Sequence, residues 1–188
     1  MESARVAQRA LLLPHPDASG DAVWNVAVDL QLAAPATLVC HYTMSGDMAR
    51  VRVPVGGAGH RTDGLWKHTC CEAFVAAPGV PGYHEFNFSP ALDWAAYRFD
   101  DYRTGMTAAT LTQAPGLQVR RTAGQLELTA TVHLAGVASL RSAGTLQLAL
   151  AAVIEEQSGR LAYWALRHGP GNPDFHHPDN FALELHAA

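Results

Sequence analysis

Two stretches of the chain, residues 62–90 and 162–178, place aromatic side chains beside carboxylate and imidazole groups. With Arg98 added from between them, the candidate ligand-binding residues are Trp66, His68, Glu72, Arg98, Trp164, His168, Asp174 and His176. Aromatic faces contact the apolar faces of a small molecule, and charged groups satisfy its polar rim once water leaves. The chemistry that these residue types support is therefore the binding of a small ligand.

The same stretches contain no catalytic or metal-binding motif. The chain lacks G-x-S-x-G, H-E-x-x-H, C-x-x-C and a Walker A loop. Asp100 and Asp101, like Glu155 and Glu156, are neighbours whose side chains would point to opposite faces of a strand, so neither pair can act as acid and base. Although the chain has ten histidines, no pair has a ligand spacing fixed by secondary structure. We predict a protein that is not an enzyme and holds no metal in its site.

Charge and hydropathy narrow the range of partners. A net charge of −4 argues against a surface that follows nucleic-acid phosphates. Nothing approaches the roughly 18 apolar residues of a membrane span, and the three leucines before Pro14 are too few for a secretory signal. The three cysteines show no disulfide framework. These observations predict a cytoplasmic protein that binds neither nucleic acid nor membranes, and they leave its oligomeric state open.

Apolar residues recur with a period of two between Gly- and Pro-containing turns, which is typical of half-buried β-strands. The predicted strands are residues 23–32, 37–44, 49–55, 71–76, 83–88, 91–100, 118–122, 125–133, 145–155, 161–166 and 181–185. Segments 37–44 and 49–55 form a predicted hairpin, and residues 134–141 are the best helical candidate. We predict one domain over residues 1–188. Its fold class is all-β, an antiparallel β-sandwich of the jelly-roll or immunoglobulin-like kind, with about ten strands and little helix.

Alternation also predicts which side chains face the core. The expected core residues are Trp24, Val26, Val28, Leu126, Leu128, Leu146, Leu148 and Leu150. Trp66 follows Asp63 and Gly64 in a loop, so we expect it to be exposed. Trp164 lies within a strand, where it faces either the core or a ligand. Glu85 and Asn87 form the polar face of their strand.

Several motifs follow one another along the chain: Leu65 and Trp66, Glu72, the run Tyr83-x-Glu85-Phe86-x-x-x-Pro90, and Trp164. In this order and spacing the sequence resembles the DOMON-like superfamily, in its branch related to family 9 carbohydrate-binding modules and in a bacterial subgroup of DOMON-like proteins. The match extends over residues 23–185. The aspartate that the family carries between the tryptophan and the glutamate is replaced here by the region of Thr69 and Cys70.

The resemblance implies that Trp66 and Trp164 flank a carbohydrate or a sugar-containing cell-wall fragment, in one groove built from two segments distant in sequence. The resemblance leaves two alternative functions open. One is a protein-interaction module without a small ligand. Another is a haem-binding DOMON domain, which would use Met44 or Met48 with a histidine. We predict no cofactor, with haem and calcium as the alternatives that the family offers.

Overall fold

The computed structural model describes residues 8–33 and 36–186, which form twelve strands that pair antiparallel and four single-turn 3₁₀ helices. The strands are β1 (Gln8–Pro14), β2 (Val23–Ala33), β3 (Thr37–Gly46), β4 (Cys70–Ala76), β5 (Tyr83–Phe88), β6 (Trp94–Phe99), β7 (Thr107–Ala108), β8 (Gly116–Arg121), β9 (Gln125–His133), β10 (Thr145–Glu155), β11 (Leu161–Ala165) and β12 (Leu183–His186). The 3₁₀ helices are Met48–Arg50, Leu65–Lys67, Leu134–Gly136 and Pro178–Asn180. None of the helices in this part of the chain is long and apolar enough to cross a membrane. The prediction of an antiparallel all-β fold with little helix is confirmed.

The strands form one curled sheet. Their order is β7-β6-β5-β4-β10-β11-β1-β2-β3-β9-β8, and β12 pairs with β10. Strand β1 is the seam of the sheet, because residues 8–12 pair with β2 whereas Leu13 and Pro14 pair with β11. We call β1, β2, β3, β8 and β9 the first half of the sheet, and β4–β7 with β10–β12 the second half. The prediction of separate sheets did not anticipate a strand shared by both halves.

The main core lies between the two halves, because alternating residues of both contribute to a single buried cluster. The predicted core residues that lie in it are Val26, Val28, Leu126, Leu128, Leu146, Leu148 and Leu150. A polar contact also joins the halves. The hydroxyl of Tyr42 on β3, fully buried, donates a hydrogen bond of 2.8 Å to the carbonyl oxygen of Glu72 on β4. This hydrogen bond ties β4 to the first half through the backbone of Glu72, whose side chain points to the opposite face of the sheet.

We expect Tyr42→Phe to lower the free energy of unfolding by about 1 kcal/mol, because the Glu72 carbonyl loses a buried hydrogen bond. Urea denaturation measures this change. Tyr163→Phe, at a half-exposed position outside the main core, is the matched control and should leave stability unchanged. Equal stability of Tyr42→Phe and the unmodified protein would contradict the prediction.

The expected burial of Trp24 is wrong. Its side chain is 68% exposed, although Val26 and Val28 on the same strand are buried. The register between β2 and β3 shifts between Val23 and Asn25, so Trp24 lies in a β-bulge outside the regular pairing. A bulge adds one residue to a strand and reverses the face of the residues beyond it, which is why alternation assigned Trp24 to the core.

Two predicted elements also differ from the structure, and strand β1 was missed. The hairpin of 37–44 with 49–55 does not form: Asp47 accepts a hydrogen bond of 3.1 Å from the amide of Ala49 and caps a 3₁₀ turn, while β3 pairs with β2 and β9. Helical structure in 134–141 is limited to the 3₁₀ turn Leu134–Gly136. Strand β1 was not predicted, because three successive leucines hide its alternation, in which Leu12 is buried and Leu11 and Leu13 are exposed.

Candidate functional site

A cleft of about 350 Å³ lies on the second half of the sheet, on the face opposite the main core. Its lining combines aromatic, carboxyl, guanidinium and imidazole groups, from Trp66, Glu72, Glu85, Phe99, Arg103, Met106, Val153, Tyr163, Pro173, Phe175 and His176. A volume of this size is within the range of small-ligand sites. Concave sites with an apolar wall and a few polar groups are the usual form of ligand pockets.

Strand alternation directs these side chains to the cleft. On β4, Cys71 and Ala73 pack in the main core, so Glu72 faces the other way. On β5, Glu85 likewise alternates with Phe86 of the core. Glu72 pairs with Asn87 across the two strands, which makes Glu72 and Glu85 diagonal neighbours on one face. We call Glu72 and Glu85 the carboxyl pair.

Trp66 is presented by the 3₁₀ turn Leu65–Lys67, whose first position follows Gly64 in the left-handed conformation at φ 78°. The Trp66 ring meets Tyr97 edge to face, with ring centroids 5.8 Å apart. Beyond the turn, Thr69 is fully buried; its hydroxyl donates to the carbonyl of Arg52 at 2.6 Å and accepts from the amide of Glu155 at 3.0 Å. These contacts fix the loop that carries Trp66.

A second aromatic wall comes from β11 and the segment that follows it. Tyr163 of β11 and Phe175 both line the cleft, with ring centroids 5.9 Å apart. The buried side chain of Asn180 holds this segment: its amide donates to the carbonyl of Phe175 at 2.9 Å, and its oxygen accepts from the amide of Arg167 at 3.2 Å. The wall is therefore anchored by a side chain that is itself outside the cleft.

Arg103 supplies the positive charge of the site from a turn after β6, at a left-handed φ of 53°. Its guanidinium donates to Asp174 Oδ1 from Nη2 at 2.6 Å and from Nε at 3.1 Å. The Tyr102 hydroxyl also donates to Asp174. Although burial raises the pKa of Asp174, the hydrogen bonds from Tyr102 and Arg103 lower it overall, so Asp174 is a carboxylate that neutralises Arg103.

The carboxyl pair is almost fully buried, with Glu72 3% and Glu85 4% exposed. Burial, and next the charge of Glu85, raise the pKa of Glu72 well above its usual value, against the lowering effect of Arg103. Burial raises the pKa of Glu85 to about 7, although the hydrogen bond from Asn87 and the charge of Arg103 act in the other direction. Glu85 therefore exchanges its proton near neutral pH, and Glu72 holds its proton more tightly than an exposed glutamate does.

His176 lies between the carboxyl pair and a tyrosine. Burial, and next the charge of Arg103, lower the pKa of His176 to about 4, so its imidazole is neutral at pH 7. Its Nδ1 is 2.8 Å from the hydroxyl of Tyr83, which also accepts a hydrogen bond of 3.2 Å from the amide of Arg103. Its Nε2 is 3.6 Å from Glu85 Oε2. His176 thus adds a neutral polar group to the cleft.

Four of the sequence-predicted residues meet at this site. Trp66, Glu72 and His176 line the cleft, and Asp174 lies behind it as the partner of Arg103. The two distant segments of the prediction do assemble one cleft.

The other four lie elsewhere. Arg98 is exposed and forms an ion pair of 2.6 Å with Asp100. His68 turns away to Glu155, with Nδ1 2.8 Å from Oε2. His168 contacts the carbonyl of Leu13 through Nε2 at 2.8 Å.

Trp164 is 4% exposed and packs in the main core. Its strand neighbour Tyr163 faces the cleft instead. The expectation that Trp164 flanks a ligand is therefore corrected: a shift of one residue along β11 exchanges the two faces of the sheet.

Sequence reasoning missed most of the second wall and the cation. Tyr163 was overlooked because the prediction favoured the neighbouring Trp164 as the aromatic ligand contact. Arg103 sits in a turn without a recognisable motif, and only its pairing with Asp174 identifies it. Glu85 was placed on the correct polar face of β5, but nothing in the sequence indicated that this face borders a cleft. Within residues 8–33 and 36–186, no group of three His, Cys, Asp or Glu side chains is arranged to hold a metal ion.

The sequence matches no family model and no curated protein. Solved structures share its fold. A Bacteroides uniformis protein proposed to bind carbohydrate is similar with a TM-score of 0.72 at 17% identity, over 96% of this chain and 86% of that one. A family 9 carbohydrate-binding module from Caldicellulosiruptor kristjanssonii, solved with glucose and with cellotriose, is similar with TM-scores of 0.53 and 0.52, at 12% and 11% identity, over 87% of this chain and 76% and 74% of those. At these identities the likeness establishes a common fold.

Proposed function

We propose that this chain is a non-catalytic carbohydrate-binding module and that the cleft beside Trp66 is its sugar site. The observation that carries the proposal is the composition of this one cleft, in which Trp66 and Tyr163 line the walls and the carboxyl pair lies beneath them. The fold shared with modules solved in complex with glucose and cellotriose supports it. Within this proposal the chain is DOMON-like, and the two halves of the curled sheet act as the two layers of a β-sandwich.

The chemistry of a sugar explains this combination of side chains. A pyranose ring has faces of C–H groups, which pack against aromatic rings, and a rim of hydroxyl groups, which need hydrogen-bond partners when water leaves. Trp66 and Tyr163 supply the apolar contact, while Glu72, Arg103 and His176 can satisfy the hydroxyls. Protein side chains are sufficient for this kind of binding, and the proposal requires no cofactor.

A glycan array followed by titration tests the proposal. We expect the protein to retain a defined class of glycans on the array, and its tryptophan fluorescence to change with a saturable dependence on the concentration of the corresponding soluble sugar. The absence of any retained glycan, together with fluorescence that no mono- or oligosaccharide alters at millimolar concentration, would overturn the proposal.

A further inference from the structure

The cleft contains two carboxyl groups that no cationic side chain of its described lining is free to neutralise. Arg103 is the guanidinium in its lining, and Asp174 already neutralises it through hydrogen bonds of 2.6 and 3.1 Å. His176 is neutral at pH 7 because burial lowers its pKa to about 4. Within the described residues that line the cleft, the carboxyl pair is therefore left without a cation of its own.

The hydrogen bonds of the carboxyl pair are also incomplete. Glu72 Oε1 is buried and contacts no donor among the described residues. Glu85 Oε1 accepts a hydrogen bond of 2.7 Å from the side-chain Nδ2 of Asn87. Glu85 Oε2 is 3.6 Å from His176 Nε2, which is beyond hydrogen-bonding distance. A buried carboxyl oxygen without a donor destabilises the folded protein. Such a group is explained when a ligand supplies the missing donor.

We propose that the cleft selects amino sugars, and that the ammonium group of the sugar binds between Glu72 and Glu85. This inference rests on the proposed function, because it specifies the class of sugar that the same cleft takes. An ammonium group offers three donors and no acceptor, which matches two carboxyl groups that each have an oxygen without a donor in the described part of the chain, Glu72 Oε1 and Glu85 Oε2. N-acetylation removes the charge and two of the donors, so the acetylated sugar binds more weakly.

Binding of an ammonium group would change the protonation of the carboxyl pair. The titratable and charged groups around Glu85 are Glu72 and Cys70 from β4, Tyr83 from its own strand, Tyr97 from β6, Arg103 from the turn after β6, and His176 from the second wall. In the free protein the pKa of Glu85 is about 7 because of burial. An ammonium group favours the ionised carboxylates and displaces their protons. Affinity for a sugar that stays cationic therefore increases as the pH rises through about 7, where Glu85 ionises.

Isothermal titration calorimetry on the unmodified protein provides the test. The probes are 6-amino-6-deoxyglucose, glucosamine, glucose and N-acetylglucosamine, at pH 5.5 and 7.5, each in two buffers of different ionisation enthalpy. We expect the best ammonium sugar to bind at least about tenfold more tightly than glucose at pH 7.5. We also expect it to release protons at pH 5.5, while glucose binds with little pH dependence.

Two variants locate the effect. Glu72→Gln and Glu85→Gln should each lower the affinity for the ammonium sugar much more than the affinity for glucose, and so remove most of the preference. Glu127→Gln on β9, in the first half of the sheet, is the matched control and should preserve the preference. Equal affinity for glucose and the ammonium sugars, without proton release, would overturn this inference and leave the proposed function standing. If none of the four sugars and none of the arrayed glycans binds, both this inference and the proposed function are overturned.

Discussion

Trp66→Ala is expected to weaken sugar binding by roughly 30-fold, equivalent to about 2 kcal/mol. The indole ring of Trp66, the middle residue of a 3₁₀ turn, lines the cleft and meets the ring of Tyr97 edge to face. Its removal takes away the apolar surface on which a sugar face would pack, while the strands beneath keep their pairing. Calorimetric titration with the tightest-binding sugar measures the loss.

The chain offers a matched control for this experiment. Trp24 is 68% exposed in the β-bulge of the first half, so Trp24→Ala removes an equally large exposed ring away from the cleft. Its affinity for sugar should equal that of the unmodified protein, and the fluorescence response to sugar should persist in it. Similar losses in both variants, or none in Trp66→Ala, would refute the assignment of the site.

The second large effect is expected in the pH dependence of stability. Burial raises the pKa of Glu85 from 4.5 to about 7. Because the folded protein holds this proton more tightly than the unfolded chain, the corresponding stability is complete below pH 4.5 and is lost as the pH rises through 7. The loss is about 3 kcal/mol. Glu85→Gln cannot ionise, so we expect it to gain about that much stability over the unmodified protein between pH 4 and pH 8.

The comparison between variant and unmodified protein is essential, because histidines change stability in the opposite direction. Burial lowers the pKa values of His84 and His176 from 6.5 to about 4, so their contribution is complete above pH 6.5 and is lost as the pH falls through 4. Urea denaturation at several pH values gives the difference directly. Glu127→Gln, at a surface ion pair with Arg120, should show no such pH-dependent gain. If the difference in free energy of unfolding between Glu85→Gln and the unmodified protein does not change with pH, the prediction is wrong.

The fold class could be predicted because alternation is a property of each strand by itself. Strands β4, β5, β9 and β10 lie within one residue of their predicted bounds. Two of the errors occur where a local hydrogen bond or an extra residue interrupts the pattern. Asp47 caps a 3₁₀ turn where a second hairpin strand was expected, and the bulge at Trp24 reverses its face.

The site was harder to predict than the fold, because it depends on which face of the second half is covered. Both faces of this half are largely apolar, so alternation separates Tyr163 from Trp164 without saying which one meets the cleft. Arg103 is placed by a left-handed turn and by Asp174, which is distant in sequence. Trp66 and Glu72 were accessible to sequence reasoning because a conspicuous aromatic residue precedes a carboxyl group on a short, well-marked strand.

The seam at β1 determines when the sheet can close during synthesis of the chain. Leu13 and Pro14 pair with β11, about 150 residues further along the chain, so this part of the ladder cannot form until Ala165 has left the ribosome. Until then, the edge of β1 at Leu13 and Pro14 stays unpaired, with the side chain of Leu13 beside it. Pairing between residues so distant in sequence slows folding, and an unpaired apolar edge favours association with other chains. This edge of the nascent protein is therefore a target for chaperones that bind extended apolar segments.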